Sequence, residues 1–305
     1  MTFLPYRELG RTGFRATRLG IGDLADRSVP IETCVATLRR ALDEGLNLVD
    51  TAPNYENGYS EEIVGRALRG RRERVFVIDK VDHLHEPVAP QVEASLARLQ
   101  FDHVDLLVFH ACSTLADLLR LQAPGGGFDQ LAAEVKRGRA RFRGISSHHP
   151  DVLRAAIDAG ACDVVMFPLG PFVDERYESE ILPLARARGI GSVCFKTFGA
   201  GKLLGDTEGY QRPLTARPRG KLSSGGEANA PALLPRLSVE ECVRYTLTLD
   251  PDVALLGLSF PNEQDAAWAA ARAFVPLTAG ELADVRQRAA AAIAGKGDVW
   301  WNPPA

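Results

Sequence analysis

The stretch LVDTAPNYENGYSEE, residues 48–62, predicts the end of a buried strand, a short loop that carries a tyrosine, and the start of a helix. Ser60, followed by Glu61 and Glu62, predicts the helix cap, since a serine oxygen can accept a backbone N–H and acids favour the positive end of the helix dipole. Asp50 and Tyr55 are therefore expected to share one turn at the end of a strand.

Two further apolar runs end in the same way. Lys80 closes the run at 74–79, and His110 closes the run at 104–109. Asp50, Lys80 and His110 are thirty residues apart each time, which is about the length of one strand-plus-helix unit. This regular spacing predicts that the three side chains lie at equivalent ends of successive strands.

The same rhythm continues along the chain. Strands are predicted at 19–22, 46–50, 75–80, 104–110, 142–146, 164–167, 190–195 and 253–257, with helical patterns between them and a short hairpin at 6–17. The 305 residues, 46% of them hydrophobic, can bury a full core. We therefore predict one domain over 1–305, an eight-stranded parallel (β/α)8 TIM barrel with a short N-terminal β-hairpin. Active sites of such barrels lie at the C-terminal ends of the strands.

One segment, 205–235, breaks the rhythm. It is rich in Gly, Pro, Arg and Ser and has no periodic apolar pattern. Long loops of this kind inside a compact domain are often lids or disordered segments. A lid over cofactor or substrate and a loop without a catalytic role are equal alternatives for it.

Composition excludes several functional classes. A net charge of −3 and a pI near 6.1 give no reason to expect nucleic acid or an anionic membrane as a partner. No apolar run reaches the length of a membrane span, and the first residues lack the apolar core of a signal peptide, so a cytoplasmic protein is expected. Five scattered cysteines predict no disulfide framework, and the His83–His85 and His148–His149 pairs lack acids or cysteines at metal-site spacing.

The side chains at the predicted strand ends form a coherent chemical set. A phenol has an unperturbed pKa of about 10, which a neighbouring ammonium lowers. Asp50 can hold Lys80 in its charged form beside Tyr55, and His110 can donate a hydrogen bond to a polarised oxygen or relay a proton. The set fits protonation of a carbonyl oxygen. Because no side chain delivers hydride, a nicotinamide cofactor is required.

These residues carry a resemblance to the aldo-keto reductase superfamily. The superfamily's pattern Asp-Thr-Ala-x-x-Tyr corresponds to 50–55, and its lysine and histidine at the next two strand ends correspond to Lys80 and His110. Further matching segments are 7–13, 138–148, 195–203 and 257–264. The resemblance implies a catalytic tetrad of Asp50, Tyr55, Lys80 and His110.

The resemblance also implies a cofactor site. In the superfamily, serines hold the nicotinamide carboxamide and an aromatic residue stacks on the nicotinamide ring. A glycine-containing loop binds the pyrophosphate, and the start of the last barrel helix binds the adenosine end. The implied set is Ser146, Ser147, Phe195, Lys196, Thr197, Phe198, Gly199, Gly201, Leu203, Gly257, Ser259 and Gln264.

Three departures from the superfamily pattern affect the cofactor. Ser147 replaces its asparagine, and Met166 stands where its glutamine is expected. The segment 257–271 contains no Lys or Arg, although a 2′-phosphate normally pairs with such a cation. NADPH is the first expectation and NADH the alternative.

The expected function is that of an NAD(P)H-dependent aldo-keto reductase that interconverts a small-molecule aldehyde or ketone and its alcohol, with Tyr55 as general acid or base. One alternative is a cofactor-binding, redox-sensing regulatory subunit with little turnover. Another is a barrel hydrolase or lyase that uses Asp50, Lys80 and His110 without nicotinamide. The substrate and the oligomeric state do not follow from the sequence.

Overall fold

The computed structural model describes residues 6–27, 29–204, 235–257, 261–295 and 299–302. The predicted lid loop falls almost entirely outside these residues, since 205–234 is not among them. Ser259, predicted to bind the adenosine end of a cofactor, also lies outside the described residues.

Eight parallel strands close into a barrel, as predicted. They are β3 to β10, in chain order Leu19–Ile21, Leu48–Asp50, Phe76–Val81, Val104–Phe109, Ala140–Ser146, Val164–Pro168, Gly191–Phe195 and Val253–Leu256. Each strand pairs with the next along the chain, and β10 closes the barrel against β3. The predicted (β/α)8 barrel is confirmed.

The predicted N-terminal hairpin is also confirmed. β1 (Tyr6–Glu8) pairs antiparallel with β2 (Arg15–Thr17). Leu9, Phe14 and Ala16 from this hairpin pack against the side chains that fill the barrel interior. The hairpin thus closes the end of the barrel opposite the C-terminal ends of the strands, where apolar interior residues would otherwise meet water.

Ten α-helices are described in the covered ranges. They are α1 to α10, in chain order Ile31–Asp43, Tyr59–Ala67, Val88–Leu99, Leu115–Gln122, Gly127–Lys136, Pro150–Asp158, Leu182–Ala187, Val239–Thr248, Pro261–Arg272 and Ala279–Ile293. The apolar faces of α1 to α9 cover the outer face of the barrel and form one continuous core with it, whereas α10 packs against α8, Leu203 and Leu204 in a separate cluster. Among the described residues, no helix has the length and apolarity needed to cross a membrane.

The predicted cap at Ser60 is wrong. Helix α2 begins at Tyr59 after Gly58, and its N-cap position makes no side-chain hydrogen bond. Glu56, Asn57 and Gly58 all have positive φ, so the chain turns sharply before Tyr59 and carries Ser60 into the first helical turn. Ser60 is buried there and accepts a hydrogen bond from Thr51 Oγ1 at 2.9 Å.

Strand alternation explains how the predicted catalytic side chains reach the interior. Leu48, Ile78 and Val108 belong to the apolar cluster inside the barrel. Asp50, Lys80 and His110 follow two residues later in each case, and residues two apart along a strand point to the same face. The polar residues therefore form the next interior layer, at the C-terminal mouth.

Candidate active site

An ion pair lies at the base of the mouth. Lys80 Nζ donates to Asp50 Oδ1 at 2.6 Å and to the backbone oxygen of Thr51 at 2.7 Å. Both charged side chains are almost completely buried. Burial alone would lower the pKa of Lys80, but the charge of Asp50 and the hydrogen bonds to Asp50 and Tyr55 outweigh it and raise that pKa. Lys80 therefore carries a fixed positive charge beneath the mouth.

Tyr55 stands above this charge. Lys80 Nζ is 4.5 Å from the centroid of the Tyr55 ring. Burial raises the pKa of Tyr55 to about 12, whereas Lys80 acts in the opposite direction, as the sequence predicted. The net shift is upward because desolvation is the larger effect. The phenol is thus uncharged at neutral pH and holds a proton that it can donate.

His110 completes the group of four. Its ring lies edge-on to that of Tyr55, with the centroids 5.6 Å apart. Burial lowers the pKa of His110, as does the charge of Lys80, while the hydrogen bond to Asp82 acts against them. The structure therefore brings Asp50, Tyr55, Lys80 and His110 together at one mouth of the barrel, as expected from their spacing.

Two contacts, one from a carboxylate and one from a guanidinium, hold the loop that carries Tyr55. The sequence predicted neither of them. Asp82 Oδ2 accepts the backbone N–H of Asn54 at 2.8 Å. Arg27 Nη2 donates to the backbone oxygen of Glu56 at 2.6 Å, and its guanidinium lies over the Tyr59 ring. Asp82 follows Lys80 by two residues, so its position on the interior face was available from strand alternation.

The two predicted carboxamide-binding serines lie at the end of β7. Ser146 Oγ accepts the backbone N–H of Ala111, next to His110, at 3.0 Å. Ser147 Oγ donates to the backbone oxygen of Cys112 at 2.6 Å and accepts the N–H of His149. Both hydroxyls therefore tie the end of β7 to the loop after β6. Met166 lies beside Ser146 in the strand register.

The predicted pyrophosphate loop follows β9. Phe195 is the last residue of that strand, and Lys196 has a φ of 74°. Gly199, Ala200 and Gly201 also have positive φ and form a tight turn, in which the N–H groups of Gly199 and Gly201 donate to the backbone oxygens of Lys196 and Phe198. Thr197, Phe198 and Leu203 complete the turn, and Leu203 is fully buried in the core between this turn and α10.

Lys196 lies in an aromatic environment. Its Nζ is 4.1 Å from the centroid of the Trp300 ring and 5.7 Å from that of Phe195. Among the described residues it forms no ion pair with a carboxylate. Burial lowers the pKa of Lys196 to about 8. The ammonium therefore lies among aromatic rings without a carboxylate partner in the described part of the chain.

The C-terminal tryptophans, Trp300 and Trp301, occupy two different places. Trp301 is fully buried and donates its Nε1–H to the backbone oxygen of Phe172 at 3.0 Å. Trp300 is 48% exposed and lies beside His148, with ring centroids 4.9 Å apart. Trp301 therefore anchors the C-terminal segment, and Trp300 extends over the mouth.

The predicted adenosine-end residues are only partly described. Gly257 follows β10 directly. Gln264 is fully buried; its Nε2 donates to the backbone oxygen of Thr37 at 2.9 Å, and its Oε1 accepts from Arg40. Arg40 also pairs with Asp265 at 2.6 Å. A guanidinium from α1 thus reaches the start of α9, whose own sequence contains no cation before Arg272.

The potential metal-ligating side chains and the cysteines are scattered in the described part of the chain. No group of three or more His, Cys, Asp or Glu side chains there could hold a metal ion. His85 instead pairs with Asp117, and all five cysteines are free and buried.

Comparisons with known proteins find relatives of this chain. The chain is 29% identical over 231 residues to the aldo-keto reductase YhdN of Bacillus subtilis, a match that covers 68% of this chain and 66% of that protein. It is 29% identical over 226 residues to the NADH-specific methylglyoxal reductase of Escherichia coli, covering 65% of this chain and 68% of that protein. The match therefore spans about two thirds of each relative.

A solved structure and a family model extend the comparison. An aldo-keto reductase from Klebsiella pneumoniae in complex with NADPH superimposes with a TM-score of 0.68 at 23% identity, covering 92% of this chain and 93% of that one. The model of the Aldo/keto reductase family matches residues 17–275. The chain belongs to the Aldo/keto reductase family.

Proposed function

We propose that this protein is an NAD(P)H-dependent carbonyl reductase in which Tyr55 donates the proton to the carbonyl oxygen. The observation that carries the proposal is the buried Asp50–Lys80 pair directly beneath the Tyr55 ring. A fully buried ion pair is costly to maintain. Its position next to a protonated phenol gives it a chemical use that a structural pair elsewhere in the barrel would lack.

The residues around the mouth fit a nicotinamide dinucleotide. The Lys196 ammonium has no carboxylate partner among the described residues, and Thr197 Oγ1 is buried there without a hydrogen-bond partner. Both groups would be satisfied by phosphate or ribose oxygens. The positive-φ turn at 199–201 would lie along the same phosphates, and its two glycines allow a close approach. Phe195 would lie against the nicotinamide ring, and Ser146 would hold its carboxamide.

When bound, the nicotinamide supplies the hydride to the carbonyl carbon. Tyr55 transfers its phenolic proton to the carbonyl oxygen as negative charge develops there. Lys80 stabilises the phenolate that remains, and Asp50 keeps Lys80 charged and oriented. His110 provides a hydrogen-bonding nitrogen beside Tyr55 and orients the reacting oxygen. The alcohol is oxidised by the same steps in reverse.

NADPH is the preferred cofactor in this proposal, with NADH as the alternative. The Klebsiella pneumoniae structure contains NADPH, whereas the Escherichia coli relative is NADH-specific. Arg40 supports NADPH because it brings a cation to α9, but its pairing with Asp265 weakens that argument. Fluorescence titration of the purified protein with each cofactor measures the preference directly, and binding of neither would contradict the proposal.

The decisive test is Tyr55→Phe, assayed against a panel of small aldehydes and ketones. The variant should bind cofactor with nearly unchanged affinity but lose turnover by a factor of about 100 or more, because only the proton donor is removed. Tyr59→Phe is the matched control, since it removes a phenol that is not part of the group of four. The Tyr59 hydroxyl donates to the backbone oxygen of Val29 at 3.1 Å. Equal turnover in Tyr55→Phe and the native protein would refute the assignment.

A regulatory, redox-sensing role is the second candidate. This role is favoured by the residues that would bind the nicotinamide carboxamide. The Ser147 hydroxyl already donates to the backbone oxygen of Cys112, and Met166 is apolar. Such a protein would bind cofactor but reduce no carbonyl in the panel, and it would copurify with a stable partner. Turnover that depends on Tyr55 decides against this role.

A further inference from the structure

The Asp82 carboxylate connects two parts of the candidate active site. Its Oδ1 is hydrogen-bonded to His110 Nδ1, and its Oδ2 accepts the backbone N–H of Asn54 at 2.8 Å. Asn54 immediately precedes Tyr55. One side chain from the end of β5 therefore contacts the ring of His110 and the loop that carries the phenol.

Both partners of this contact are shielded from water. The Asp82 side chain is 9% exposed and that of His110 is 15% exposed. A hydrogen bond between a carboxylate and an imidazole is stronger in such surroundings than at the surface, because less water competes for either group. The contact can therefore hold the imidazole ring in one orientation.

The contact also selects the protonation pattern of His110. An ionised carboxylate only accepts hydrogen bonds, so His110 Nδ1 must carry a hydrogen. The neutral imidazole then has its lone pair on Nε2, and among the described residues Nε2 makes no hydrogen bond. Nε2 accepts a hydrogen bond when the ring is neutral and donates one only when the ring is charged.

We infer that Asp82 is a positioning residue that holds His110 in the Nδ1-protonated form and aligns it with Tyr55, so that Nε2 faces the reacting oxygen of the substrate. His110 then acts as an acceptor for the substrate hydroxyl in the oxidation direction. In the reduction direction it donates to the carbonyl oxygen only as an imidazolium, which Asp82 stabilises. The inference rests on the proposed reductase function.

Several charged or titratable groups surround His110. Lys80 and Asp50 lie below it, Asp82 pairs with its Nδ1, Tyr55 is beside its ring, and His148 interacts with it electrostatically from the end of β7. Lys80 opposes a charge on His110, and the two carboxylates favour it. Removing the charge of Asp82 therefore shifts the balance against the imidazolium.

The test is Asp82→Asn, with Asp102→Asn as the matched control. Asp102 accepts a hydrogen bond from His103 Nδ1 at 2.6 Å, before the first residue of β6 and far from the mouth. Asp82→Asn should lower kcat by at least about tenfold, with cofactor affinity and melting temperature close to those of the native protein. The pH at which His110 loses its proton should move downward. Asp102→Asn should change neither kcat nor this pH.

Nitrogen-15 NMR of the histidine rings provides a readout that does not depend on turnover. His110 in the native protein should show the hydrogen on Nδ1, and in Asp82→Asn this preference should be lost. A native tautomer with the hydrogen on Nε2 would overturn the inference, as would an unchanged kcat and tautomer in Asp82→Asn. A native protein that turns over no carbonyl would contradict the proposed function instead, and the NMR result would still decide the role of Asp82.

Discussion

At the scale of single residues, the site depends on the competition between burial and charge at Tyr55. Burial raises the pKa of this phenol to about 12, although Lys80 lies beneath the ring and favours the ionised form. A spacing pattern shows that a lysine is near a tyrosine. Only the surroundings of the two groups show that desolvation is the larger effect.

The raised pKa of Tyr55 predicts the pH dependence of turnover. Reduction needs the protonated phenol, so ionisation of Tyr55 should lower its kcat, at saturating substrate and cofactor, only above about pH 10. Oxidation needs the ionised phenol and should rise with pH over the same range. Steady-state assays in both directions measure this. A fall of the reduction rate centred between about pH 8 and pH 10, well above the lowered pKa of His110, would contradict it.

The pKa of Lys196 makes a separate prediction about cofactor affinity. With a pKa of about 8, Lys196 is positively charged below that pH and loses its charge above it. Cofactor affinity should therefore fall as the pH rises past about 8, because the phosphates lose a cation.

Two substitutions of Lys196 separate its charge from its packing. Lys196→Arg should keep cofactor affinity level past pH 9, since a guanidinium stays protonated there. Lys196→Met should bind cofactor more weakly at pH 7 and lose the pH dependence. Fluorescence titration of both variants and the native protein from pH 6 to pH 10 measures the effect. An equal pH dependence in all three would exclude a phosphate contact by Lys196.

At the scale of elements, the periodic pattern of the sequence predicts the positions of the strands and helices closely, but it does not predict where α2 begins. Ser60, Glu61 and Glu62 have the composition of a capped first turn. The positive φ values of Glu56, Asn57 and Gly58 instead start the helix at Tyr59. Arg27 and Asp82, from two other loops, hold this turn through the backbone, and such contacts between distant segments leave no local signal.

The approach of α2 to α3 gives a prediction at this scale. A Cβ on Gly65 would lie 2.2 Å from the backbone oxygen of Leu99, at the end of α3. Gly65→Ala should therefore force the two helices apart and lower the free energy of unfolding by about 1–3 kcal/mol. Gly280→Ala is the control, because a Cβ there meets nothing within 4 Å. Urea unfolding of both variants provides the comparison, and equal stabilities would show that the helices adapt freely.

At the scale of the whole molecule, one buried group makes stability depend on pH. Asp79 is fully buried on the outer face of β5, and neither of its oxygens has a hydrogen-bond partner among the described residues. Burial and the neighbouring Glu61 raise the pKa of Asp79 to about 8. The folded protein therefore favours the protonated acid, whereas the unfolded chain ionises near pH 4.

Asp79→Asn should remove this dependence. In the native protein, the Asp79 contribution to stability is complete below about pH 4 and is lost as the pH rises to about 8, with a slope of up to about 1.4 kcal/mol per pH unit. The variant should thus be more stable than the native protein at pH 8, and the difference should shrink toward pH 5. Denaturant unfolding at pH 5, 7 and 8.5 measures it.

A surface carboxylate provides the control for this prediction. Asp158 pairs with Arg188 at 3.1 Å, and both side chains are about half exposed. Asp158→Asn should change stability little and by a similar amount at each pH. If Asp79→Asn behaves like Asp158→Asn, Asp79 is ionised in the folded protein and the predicted pKa shift is wrong.

Sequence periodicity alone predicts the barrel, the hairpin and the layer that holds Asp50, Lys80 and His110. Alternation within strands and the length of a strand-plus-helix unit are local properties, and they repeat along the chain in a form that can be read without coordinates. The position of Tyr55 is also predicted, because Tyr55 lies in the loop that directly follows Asp50.

The contacts that support these residues come from distant segments and follow only from the folded chain. Asp82 reaches His110 across 28 residues of sequence, Arg40 reaches Asp265 across 225, and Trp300 lies over Lys196 from the C-terminal segment. These contacts depend on side-chain direction and on how much water each group loses when the barrel closes. Burial and distance of this kind arise from the packing of distant segments, so no local pattern encodes them.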